Sequence, residues 1–167
     1  TGVRPEHPDL RGRLLPGYDF VSDATVANDR DGRDADPSDP GDWVTSAEAG
    51  SSTFSGCSPE NSSWHGTKTA ALVGASADDG IGMAGAAPGV GLLPLRVLGK
   101  CYGSESDIQA AMRWAVGLAV PGVPPNPNPA KVLNLSLGGG SSCSAAYQTA
   151  VNEVLATGAV IVAAAGN

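Results

Sequence analysis

The chain has 167 residues, 41% of them apolar, which is enough for one domain with a hydrophobic core and too many for a disordered chain. Ten basic against seventeen acidic residues give a net charge of −7, which argues against nucleic acid and anionic lipid as partners. No apolar run approaches the ~18 residues of a membrane span, so a soluble chain is expected, with any leader peptide outside it. Aromatic residues are only 5%, which leaves the packing mainly to Ala, Val and Leu.

In chain order, residues 1–20 read as a loop entering a short apolar piece, Tyr18-Asp19-Phe20-Val21. Asn28 to Trp43 is acidic and punctuated by Gly and Pro, and a Ser-rich stretch follows to Ser63. Neither has helical or strand periodicity, so both are expected on the surface. His65 opens a small-residue segment that reads as a buried helix, with Ser62 or Ser63 as N-cap. A Gly/Pro turn leads to an apolar strand over 91–98. Residues 104–118 predict an amphipathic helix with Ile108, Met112, Ala115 and Val116 on one face and Ser104 or Ser106 at its cap. A second buried strand is expected at 132–137, a helix at 144–157 stopped by Gly158, and a third buried strand at 159–165. Apolar strands alternating with such helices predict βαβ units and a parallel sheet, with no internal repeat and a single domain over 1–167. In open parallel sheets the ligand site lies beyond the carboxyl ends of the strands, where Asn167 follows Gly166.

Three features carry chemistry. His65 stands at a helix start between Trp64 and Gly66, and an imidazole titrating near neutrality can act as general base and acid. The stretch around Gly32 carries Asp29, Asp31, Asp34 and Asp36, an oxygen density that suits structural calcium. An EF-hand is excluded by the missing bidentate Glu and flanking helices, and a solvated loop partly neutralised by Arg30 and Arg33 is the plain alternative. Cys57, Cys101 and Cys143 have no CxxC spacing, which leaves a disulfide and one thiol rather than a zinc site.

His65-Gly66-Thr67 with its small-residue helix resembles the histidine motif of the subtilisin-like serine proteases, the subtilases, in a secreted bacterial type. Downstream, in the family's order, stand Gly85-Ala86-Ala87-Pro88, Leu95-Arg96-Val97-Leu98, Asn134-Leu135-Ser136-Leu137-Gly138 and Ala164-Ala165-Gly166-Asn167. Thr1-Gly2-Val3 is similar to the tail of the family's Asp-Thr-Gly motif without its aspartate. Thr69-Ala70-Ala71 departs from the usual Val-Ala-Gly, a packing change of under ~1.5 kcal/mol where the site can adjust. Asp9 and Asp19 are not stand-ins for the catalytic aspartate, because the family's carboxylate directly precedes Thr-Gly.

The resemblance implies a three-layer α/β fold with a mainly parallel sheet, incomplete at its C-terminal side. It implies peptide-bond hydrolysis by a Ser-His-Asp mechanism, with His65 as general base and Asn167 as an oxyanion donor. Tyr102-Gly103-Ser104 and Ser136-Leu137-Gly138 resemble the two backbone edges that hold an extended substrate, with the glycines at 138–140 leaving the S1 wall open. Because those edges flank one cleft in the family, a Cys101–Cys143 disulfide is expected, with Cys57 the competing partner for Cys101. The family's use of calcium favours an ion on the Asp29–Asp36 loop, with no organic cofactor. Protein or peptide substrates and a monomer are implied, with no nucleic acid or membrane partner. Lacking the Asp and Ser segments, the chain by itself is expected to be inactive and poorly stable. A non-catalytic peptide-binding module and a calcium-binding surface protein are the alternatives.

Overall fold

The computed structural model describes residues 1–139 and 142–166. The chain divides into two compact units, Thr1–Asp107 and Ile108–Asn167. In both, the pairing of strands is parallel, as the alternation of strands and helices predicts.

In the first unit, β1 (Tyr18–Asp19) pairs with β2 (Leu95–Arg96) in the register Tyr18 to Leu95 and Asp19 to Arg96. The predicted strand over 91–98 thus contracts to two residues. Pro94 has no ladder donor to give and interrupts the pairing, so that Leu92 meets Leu14 only as an isolated parallel bridge. After β1, the Asp23 carboxylate accepts from the amides of Thr25 and Val26 and starts the single turn α1 (Ala24–Ala27). Val21, Val26, Ala27 and Phe54 are buried together, with Cys57 packed against them.

The stretch expected to lie wholly on the surface is more ordered than its composition suggests. Val44 and Glu60 exchange both backbone hydrogen bonds at 2.9 Å and close an excursion between them. Inside it, Thr45 and Glu48 form a reciprocal capping box on α2 (Ser46–Ala49). Asp39, Val44 and Phe54 are buried, so the loop contributes to the core although it carries no periodicity.

α3 (His65–Gly74) is followed by a loop that returns along it. Leu10, Ala71 and Ala75 are buried together, flanked by Leu14, Ala70 and Leu92. α4 (Glu105–Ala115) begins in the first unit and continues into the second. Of the two candidate caps it is Ser104 whose hydroxyl accepts from the Asp107 amide, at 3.1 Å. Ile108, Met112, Ala115 and Val116 are all buried, the face that their spacing predicts.

The second unit holds one βαβ crossover: β3 (Val132–Leu135), α5 (Ala145–Ala156), β4 (Val160–Ala163). β3 and β4 run parallel in the register Val132 to Val160 through Leu135 to Ala163. Ser144 caps α5 through the Tyr147 amide at 3.0 Å, and Gly158 turns the chain out of it with φ +83°. These strands were expected to be buried, yet Val132, Val160 and Val162 are more than half exposed. Parallel strands that are apolar on both faces need cover on both, and within this unit α5 is the element packed on β4.

Candidate active site

His65 is the first residue of α3 and is partly exposed. The expected serine cap is displaced by one position: Trp64 is the N-cap residue, and the Ser63 hydroxyl instead accepts from the His65 amide at 3.2 Å. Trp64 adopts the left-handed conformation, φ +51°, which a bulky side chain rarely enters and which costs on the order of 1–3 kcal/mol. The surroundings over-determine it. Ser63 is fixed through both its amide and its hydroxyl to the Asp42 carboxylate at 2.6 Å, and the Arg4 guanidinium lies over the Trp64 ring at 4.9 Å.

The start of the chain is stitched to the first turn of α3. The Gly66 amide donates to Thr1 Oγ1 at 3.1 Å, and Thr1 Oγ1 donates to the buried Asp39 carboxylate at 2.6 Å. Three residues on, the Arg4 amide donates to Thr67 Oγ1 at 2.9 Å. Gly66 is required here for space: a Cβ on it would lie 2.0 Å from the carbonyl oxygen of Gly2. Consecutive Cα atoms are about 3.8 Å apart, so a residue joined to the amine of Thr1 would lie beside the helix start that carries His65. Thr1 was legible as part of the Thr-Gly motif, but Asp39 and Arg4 escaped sequence reasoning, because the segment containing Asp39 shows only turn chemistry. Asn167 lies outside the described residues.

The two predicted backbone edges are placed as follows. Tyr102 is exposed and Gly103 and Ser104 are partly so; Ser136 and Leu137 are partly exposed and Gly138 is exposed. Among the described residues, a Cβ added to Gly138 or Gly139 would meet nothing within 4 Å, while Gly140 lies outside those residues. Gly103 packs tightly, since a Cβ there would approach the Val97 carbonyl oxygen to 2.1 Å.

The cysteine pairing corrects the expectation from the sequence. Cys101 is bonded to Cys57, with Cα atoms 6.0 Å apart, and Cys143 is a free, exposed thiol. Cys101 turns towards the loop that carries Cys57 because it sits in a left-handed position, φ +66°, in the turn where the Gly99 amide donates to the Tyr102 carbonyl at 3.1 Å. With its ends 44 positions apart in sequence, the bridge contributes about 4 kcal/mol in the chain-entropy account.

Of the four carboxylates expected to hold calcium, Asp29 pairs with the buried Arg96, and its other oxygen accepts from the Asp31 amide at 3.3 Å. Asp34 accepts from the Asp36 amide at 2.7 Å, and Asp36 from the Ser38 amide at 3.0 Å. Loss of hydration first, then repulsion from Asp34 and Asp29, raises the Asp31 carboxyl above its ordinary value. Among the described residues no three acidic, imidazole or thiol side chains are grouped to hold a metal, so the loop is not a preformed cage. Arg96 also pairs with Asp19 and donates to the Ala27 carbonyl, tying β2 to β1 and α1. Burial pushes Asp19 up to about 7, against the pull of Arg96 and the hydrogen bond from the Val21 amide. Asp9, the other carboxylate set aside as a catalytic candidate, is buried and accepts from the Met83 amide at 3.1 Å.

These features converge with known proteins. The pattern of the subtilase family matches residues 1–167, and the chain belongs to that family. It is 49% identical over its whole length to an extracellular protease of Xanthomonas campestris and 46% identical to an extracellular basic protease of Dichelobacter nodosus. It spans only 28% of each of these two relatives. Among solved structures, a protease of Pseudoalteromonas arctica superposes with a TM-score of 0.93 at 50% identity, covering all of this chain and 48% of that one. The fold is therefore the subtilisin-like one expected.

Proposed function

We propose that the parent protein is a secreted serine endopeptidase acting on peptide bonds in proteins, with His65 as its general base. One observation carries this reading: Thr1 and Arg4 are hydrogen-bonded to Gly66 and Thr67, the two residues that follow His65 in the first turn of α3. An aspartate preceding Thr1 would reach the imidazole and orient it. A serine supplied elsewhere in the parent attacks the scissile carbonyl, His65 takes its proton, and the same proton passes to the leaving amine. Asn167 would donate its side-chain amide to the oxyanion. The partly exposed segments Tyr102–Ser104 and, separately, Ser136–Gly138 would bond an extended peptide through main-chain groups. Secretion and protein substrates are supported by relatives that are named extracellular proteases. The enzyme would act as a monomer, without nucleic acid, membrane or organic cofactor.

The test is casein hydrolysis by the full-length protein, with and without a sulfonyl fluoride that modifies activated serines. Complete inhibition with one labelled serine is expected. Peptide binding with no hydrolysis would replace the reading by a non-catalytic module.

Calcium on the Asp29–Asp36 loop is a separate proposal, supported by the run of four carboxylates, Asp29, Asp31, Asp34 and Asp36, around Gly32. It requires the ion and Arg96 to share Asp29. Returning calcium to chelated protein at about 100 times its dissociation constant is expected to add about 2.7 kcal/mol and raise Tm. Identical melting curves with calcium and with chelator would remove the ion from this loop.

A further inference from the structure

We propose that the excursion between Val44 and Glu60 is a positioning clamp for the edge Tyr102–Ser104, gripping the turn before it through the Cys57–Cys101 disulfide and the Lys100–Glu48 ion pair. The proposal rests on that edge binding peptide, as argued above. The turn from Gly99 to Tyr102 closes on itself through the Gly99 amide to the Tyr102 carbonyl and the Tyr102 amide to the Lys100 carbonyl, yet it carries Cys101 in the left-handed region at φ +66°, a strained position for a residue with a side chain. It is also held from outside. The Lys100 amide donates to the Val26 carbonyl at 2.8 Å, and the Lys100 ammonium, nearly buried, meets Glu48 at 2.5 Å and lies over the Trp43 ring at 4.7 Å.

Two consecutive residues of the turn are thus fastened to opposite ends of one loop, Lys100 near its start at Glu48 and Cys101 near its end at Cys57. One tether would leave the turn free to pivot; two on adjacent residues fix its rotation as well as its place. The loop can bear this because it is ordered independently of the turn. Its base is closed by the Val44–Glu60 pair, its first turn by the Thr45–Glu48 capping box, and its middle by buried Phe54. The Lys100 contact and the Thr45 hydrogen bonds draw the Glu48 carboxyl down to about 2, so it is ionised over the whole range in which a secreted protease would work. The next residues after the clamped pair are the edge itself, so a shift of the turn moves the groups that would align the peptide.

The experiment uses the full-length protein, with the Cys57→Ser/Cys101→Ser double variant and, separately, Lys100→Met, which retains the bridge. Hydrolysis is compared on a single-residue ester and on peptide anilides of increasing length. A KM that rises with peptide length, to roughly tenfold on the longest, with the ester kcat unchanged, is the expected result; it equals the loss of about one aligned main-chain hydrogen bond. A loss equal at every length, or a lower Tm with unaltered KM in both variants, would overturn the clamp. An unmodified parent that cleaves neither ester nor anilide fails the protease reading, and the clamp with it; a parent that cleaves all of them with length-independent variants fails the clamp alone.

Discussion

Replacing His65 by alanine in the full-length protein is expected to lower kcat about 10⁶-fold, with KM nearly unchanged. The magnitude is subtilisin's own for loss of a triad member, carried over to this family member rather than calculated for it. The physical reason is that the imidazole has no binding task. It would accept the serine proton only as the bond to the substrate forms, so its removal strips stabilisation from the transition state and leaves ground-state binding alone. Folding should be little affected, because His65 is partly exposed at the helix start and its amide, retained in alanine, keeps the bond to Ser63. Steady-state hydrolysis of a peptide anilide beside a thermal melt checks both halves. Residual activity within tenfold of the parent would take the general base elsewhere.

Arg96→Met is expected to destabilise the folded protein by about 3–5 kcal/mol, the usual loss when one partner of a buried pair is removed. Arg96 and Asp19 are 1% and 0% exposed, and Asp29 loses its partner as well. The effect carries a pH signature. In the parent, Asp19 titrates at about 7 when folded, above its ordinary 3.8, so it binds a proton more readily folded than unfolded. Its contribution to stability therefore declines as pH rises from 3.8 towards 7 and is level above that. Without Arg96 the pull towards the ionised form is gone, the folded value moves higher, and the decline continues past 7. Denaturant titrations of parent and variant should thus diverge more at pH 8 than at pH 5. A pH-independent difference under about 1 kcal/mol would show that the pair carries no such weight.

How much of this was legible in the sequence differs from element to element. α4 and α5 were, because period, cap and stop residue agree there: Ser104 and Ser144 start them, and Gly158 ends the second. His65 was legible through the order of motifs around it rather than by itself. The excursion from Val44 to Glu60 was not, since its order comes from one buried Phe54, a capping box and a disulfide, none of which has a period. The disulfide failed for a related reason. Both candidate partners for Cys101 are distant in sequence, and the choice turns on the left-handed backbone at Cys101, which the residue type gives no reason to expect. The exposure of β4 was missed because an apolar run reports what a strand can bury, and the covering elements are a separate matter.

The stitching of Thr1 to Gly66 and of Arg4 to Thr67 also orders events in time. These bonds join positions 65 and 63 residues apart. Closing loops of that size precedes any reward from the contacts they allow, so such pairings form late and slowly. Trp64 enters its strained conformation only once Arg4 and Asp42 are in place to hold it. A chain emerging from synthesis therefore carries His65 before the contacts that order the start of α3 can form.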